Sequence, residues 1–188
     1  EYAYSLFMQF KYDEAIPLYE KLIAQGFDNF ESNFILGLCY EDQPDNEKAL
    51  KHYQKAVQFK SDNATCLFHL ALVEKAFNMD SLSMAHFNQS LEVSLPKGRA
   101  LRTYKWLADL HFQHHRYTDA ARDFELCILY DEEDNPLNYY NAAQMFIASK
   151  NKLKAKLYLQ MFLANANRLE DKKEAAQLIS KAKEQLKQ

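Results

Sequence analysis

Apolar positions recur along this chain at spacings of three and four, the pattern of helices that each bury one stripe. Short polar stretches interrupt it. The pattern predicts helices over 1–9, 12–25, 30–42, 45–59, 63–77, 80–94, 98–115, 117–130, 136–149 and 151–165. A last segment, 170–187, sets Ala175, Ile179, Ala182 and Leu186 at 4-3-4 spacing on an otherwise charged helix. Asp45, Asp62, Asp80 and Thr118 stand where N-caps are expected. Pro17 falls about a turn inside its helix, where most backbone donors are expected to be unpaired, so its cost should be modest.

The helices repeat as pairs. Ala15 and Tyr19 recur 34 residues later as Ala49 and Tyr53, and again as Ser83 and Phe87. Ala120 and Phe124 follow after 37 residues, then Ala155 and Leu159 after 35. The stretch Ser94-Leu95-Pro96-Lys97-Gly98 is the long joint that absorbs the three extra residues. Small residues such as Gly37, Ala49 and Ala56 let two helix backbones approach, and the aromatics fill the adjoining gaps. Each pair leaves an apolar face that its neighbour must cover, so stacking is obligatory.

The second pair carries Leu36, Gly37, Tyr40, Ala49, Tyr53 and Ala56, which resembles the tetratricopeptide-repeat (TPR) family. The fourth has Leu107, Ala108, Ala120, Phe124 and Cys127, with His111 in an aromatic slot. The third has Leu70, Ala71, Ser83, Phe87 and Ser90, with Glu74 departing in that slot. The fifth is looser, with Ala142, Ala143, Phe146, Ala155, Leu159 and Phe162. The first is cut short, with Ala3, Ala15 and Tyr19 recognisable. The resemblance implies an all-α, right-handed superhelical solenoid of antiparallel helix pairs. Residues 1–169 would hold five repeats, and 170–188 a polar capping helix. A dimerisation helix is the alternative for that last segment.

In this architecture the first helix of each repeat lines a concave groove. The register assigns to it Phe34, Ile35 and Leu38, then Phe68, His69 and Leu72. After them come Arg102, Lys105, Trp106, Asp109 and Phe112, and finally Tyr140, Asn141, Gln144 and Ile147. An apolar wall with an adjacent Arg is typical of a binding surface. The other possibility is that these rings pack on neighbouring helices. A chaperone-type carboxylate clamp would need Lys, Asn and Arg where this chain has Phe34, Leu38, His69, Arg102 and Trp106. Of these Arg102 alone is basic, so a partner with apolar side chains in an extended or helical segment is expected instead.

Composition narrows the rest. Gly 3 and Pro 4 are too few for a collagen-like, disordered or β-sandwich chain. No apolar run suits a membrane span, and a net charge of −3 speaks against nucleic acid. His111, His114 and His115 share a helical turn, and histidines so spaced can share a metal. A solvated helix end is the preferred reading, and no cofactor is expected. Asp131-Glu132-Glu133-Asp134 lacks the spacing of a calcium loop. Cys39, Cys66 and Cys127 form no CxxC pair and suit a reducing compartment, although buried periplasmic thiols would look the same. The chain opens at Glu1 without Met, as a fragment or processed form would. The functional expectation is a non-enzymatic scaffold for a protein or peptide partner. Its alternative is a self-assembly module.

Overall fold

The computed structural model describes residues 1–187. Among the described residues there are eleven α-helices, one 3-10 turn and no strand. The helices are α1 Tyr2–Met8, α2 Tyr12–Ala24, α3 Phe30–Asp42, α4 Asn46–Phe59, α5 Ala64–Ala76, α6 Asp80–Val93, α7 Lys97–Gln113, α8 Tyr117–Tyr130, α9 Pro136–Ala148, α10 Lys152–Asn165 and α11 Lys172–Gln185. The contacts fall into two compact units, Glu1–Leu95 and the chain from Pro96 onward.

In the first unit, α1 packs on α2, α3 on α4 and α5 on α6. Further contacts join α2 to α3, α4 to α5 and α3 to α5, so successive pairs stack. Its core runs through Leu6, Ile16, Tyr19, Leu36, Tyr40, Tyr53 and Leu70. At the centre of the second pair Gly37 meets Tyr53. A methyl on Gly37 would lie 2.5 Å from that ring, so glycine is required by the closeness of α3 and α4. The second unit repeats the plan with α7 on α8, α8 on α9 and α9 on α10. There α11 covers the last pair: Ala182 is buried, and Leu178, Ile179 and Leu186 pack against the cluster of Tyr139, Tyr140, Leu159 and Phe162. The stripe of the last helix is thus used inside its own unit. Each fully buried Leu or Phe in these cores contributes roughly 1.5–3 kcal/mol.

The turn inside each pair is built the same way five times. The N–H of Lys11, Asp45, Met79, Arg116 and Asn151 donates to the carbonyl five residues back, on Leu6, Tyr40, Glu74, His111 and Phe146. Phe10, Asn78, His115 and Lys150 consequently sit in the left-handed region, with φ of 57–62°.

The capping expectations need correction. Asp45 does accept from Lys48 N, but the cap of α5 is Asn63, not Asp62. Asp80 is the first residue of α6, behind Met79. Thr118 lies within α8, which starts after Arg116. In both cases the fixed turn, not a polar side chain, sets where the helix begins. Asn29, Asn135, Asn151 and Asp171 supply the remaining side-chain caps. Pro17 lies at the expected depth but is not as cheap as expected. It is the sixth residue of α2, past the unpaired donors of the first turn, and so removes a bond that the Asp13 carbonyl would accept.

Candidate functional site

In the first unit, α3 and α5 bring part of the expected groove together. Phe34, Leu38, His69 and Leu72 are half-buried on these two helices. The rings of Phe34 and His69 meet at 6.3 Å, and Phe34 also stacks on Phe30 at 5.4 Å. Ile35 and Phe68 are corrections. Ile35 is buried in the core, and Phe68 is 1% exposed with its ring 6.0 Å from that of Phe87 on α6. The neighbouring helix takes that face of α5, so neither side chain can reach a partner.

The register did not anticipate the polar centre of this face. Glu41 Oε2 accepts from the Tyr53 hydroxyl at 2.5 Å and lies 2.9 Å from His69 Nδ1. The His69 ring stacks on Tyr53 at 5.8 Å. Burial, and then the charge and hydrogen bond of Glu41, push the Tyr53 phenol far above its ordinary value. Glu41 sits one helical turn after Leu38, and that spacing is the signal that could have found it.

In the second unit, Arg102, Lys105, Phe112 and Ile147 are exposed, while Trp106, Asp109, Asn141 and Gln144 are half-buried. Tyr140 is a third correction: it is 6% exposed, packs on Phe162 at 5.1 Å, and its buried hydroxyl has no partner among the described residues. Gln144 is engaged by the last helix, exchanging amide hydrogen bonds of 3.0 Å in both directions with Gln185.

The departures from the repeat pattern turn out to be paired across the two helices of each repeat. Residue 40 and residue 52, twelve apart, stack as Tyr40 on His52 at 5.7 Å. In the next repeat the same two places hold Glu74 and His86, 2.7 Å apart. In the fourth they hold His111 and Asp123, 2.6 Å apart and both buried. In the fifth they hold Phe146 and Tyr158, stacked at 5.4 Å. His111 is therefore a core residue and not part of a solvated helix end; exposed His114 and His115 belong to the turn. Among the described residues no three His, Cys, Asp or Glu side chains converge as metal ligands would. Burial pushes Asp123 above the usual carboxylate value, and the hydrogen bond from His111 works against it. Burial likewise pushes the Cys39, Cys66 and Cys127 thiols up to about 12, which keeps them protonated and poor nucleophiles. Among the described residues no helix is long and apolar enough to cross a membrane.

These helix pairs superpose on solved proteins. The chain is similar to YrrB, described as a TPR protein with an unusual peptide-binding site, with a TM-score of 0.75 and 16% identity over 95% of this chain and 88% of that one. The fold is that of the tetratricopeptide repeat. MamA shares it, at a TM-score of 0.73 and 15% identity over 89% of this chain and 96% of that one. The family model of the anaphase-promoting complex, cyclosome, subunit 3 matches residues 8–79, which lie in the first TPR unit. DnaJ homolog subfamily C member 3 of Gallus gallus is 24% identical over 144 residues, 72% of this chain and 28% of its own length. The chain spans about a quarter of the length of the curated relatives it matches.

Proposed function

We propose that this TPR chain is a non-enzymatic interaction scaffold that holds a peptide or helix of a partner protein against the exposed faces of its first helices. The contact between Phe34 and His69 carries this reading, because it joins consecutive first helices into one half-exposed aromatic surface. Leu38 and Leu72 extend that surface, and Glu41 with the Tyr53 hydroxyl gives it a polar centre. Such a face offers apolar contact and a place for a backbone or side-chain donor, as peptide-binding grooves do. In the second unit Arg102, Lys105, Trp106, Asp109, Phe112 and Asn141 are the corresponding side chains. The peptide-binding neighbour of the same fold supports the class of partner.

Photo-crosslinking tests it. A photoreactive phenylalanine at Leu72 is expected to trap a defined partner segment, read by mass spectrometry, while the same group at exposed Gln54 on α4 is not. Equal adducts from both positions would overturn the groove. A second reading, self-assembly, is favoured by the exposed Tyr2 and Phe10 at the first helix, 69% and 76% accessible. A mass that stays that of one chain at rising concentration would remove it.

A further inference from the structure

The second unit contains a cavity of about 440 Å³ between α9, α10 and α11. Its accessible apolar lining is Ile147 from the end of α9 and Leu186 at the end of α11, with the buried Ala155 and Leu159 of α10 beneath them. Lys150, Lys152 and Lys156 stand around it. All three are exposed, and none has an ion-pair partner among the described residues. Their neighbour Lys154, on the far side of the same helix, is by contrast paired with Glu125 at 2.7 Å. Among the described residues no acidic side chain lines the cavity. The reciprocal amide bonds between Gln144 and Gln185 hold α11 against α9 beside it, so the cavity is built whether or not it is filled.

Three unneutralised cations around a small apolar lining select one kind of occupant. An apolar side chain has a place to bury, and carboxylates on either side of it have cations to meet. Lys152 and Lys156 lie one helical turn apart, so they present neighbouring ammonium groups on one face. We propose that this cavity is a second recognition site, for an acidic segment of a partner protein that sets an aliphatic side chain between Ile147 and Leu186. It does not rest on the aromatic face of the first unit, and either site can fail without the other.

The test is a methyl NMR titration of the full chain with an acetylated, amidated octapeptide of alternating glutamate and leucine. The expected result is saturable movement of the Ile147 and Leu186 methyls, with a dissociation constant of about a millimolar or tighter. Binding should weaken as salt is raised. Reversal of two charges in Lys152→Glu/Lys156→Glu should weaken it by on the order of ten-fold. The neutral Lys152→Gln/Lys156→Gln should fall between, and both variants should keep the wild-type melting temperature, since both lysines are exposed. Equal binding by a lysine–leucine octapeptide, or unchanged affinity in the charge-reversed variant, would overturn the proposal. So would the absence of methyl shifts with the acidic peptide. Shifts caused by sodium decanoate but not by the peptide would assign the cavity to an acyl carboxylate and equally overturn it.

Discussion

Two of the helix pairs close over stacked rings and two over a histidine and a carboxylate. In α3–α4 and α9–α10 the closing contacts are Tyr40 on His52 and Phe146 on Tyr158. In α5–α6 and α7–α8 the same places hold Glu74 with His86 and His111 with Asp123. The backbone accepts either solution because the turn between the helices is fixed by its own hydrogen bond, from residue 45, 79, 116 or 151 to the carbonyl five back. What differs is tolerance. A ring stack loses a little packing when one member is trimmed, whereas a buried carboxylate or imidazole that loses its partner keeps its full desolvation cost.

The largest contrast is expected from His86→Ala, which strands the buried Glu74 carboxylate and should cost about 3 kcal/mol in urea unfolding. Phe146→Leu, a cut in an aromatic pair that breaks no side-chain hydrogen bond, should cost about 1 kcal/mol. Equal losses at the two sites would break the comparison. Shape takes over as the sensitive quantity in the other aromatic pair. Gly37→Ala drives a methyl into the Tyr53 ring and should cost about 2 kcal/mol. A variant as stable as wild type would mean that α3 and α4 can separate freely.

The fourth repeat sharpens the electrostatic side. Burial raises Asp123 from 3.8, so the folded chain holds that proton more tightly than the unfolded one. Its contribution favours the fold on the acid side and is lost as pH rises through the raised value. Asp123→Asn should change stability at pH 7 by less than about 1 kcal/mol while flattening this part of the profile above 3.8. Stability that instead grows with pH across that window in the wild type, and not in the variant, would contradict the raised carboxyl. Smallest of all is the shared turn. Lys150→Gly removes the cost of a side chain at φ 62° and should add about 0.5–1 kcal/mol, visible as a higher melting temperature.

The elements were legible because the chain repeats its own spacing. Ala15, Ala49, Ser83, Ala120 and Ala155 fix where each second helix crosses, and the helices lie within a few residues of the pattern. Helix starts were harder to read, since Asp62 and Asn63 are adjacent residues with the same capping chemistry. Groove positions were harder still. Phe68 and His69 differ by one helical step, yet one points at Phe87 and the other at Phe34. Hydropathy cannot choose between them, because an aromatic ring suits a core and a binding face alike. Glu74 and His111 look like flaws when each first helix is read alone. Reading them against the residue twelve places on reveals a matched pair in each repeat.

The buried thiols give the two units separate clocks. Cys39 and Cys66 belong to the first and Cys127 to the second, and none is accessible in the closed chain. An alkylating reagent can reach each sulfur only when its own helices part, so the rates of labelling report local opening free energies residue by residue. Mass spectrometry would then order the events. If Cys127 is modified while Cys39 and Cys66 stay intact, the second unit opens first and does so on its own; simultaneous modification of all three means the chain comes apart as one.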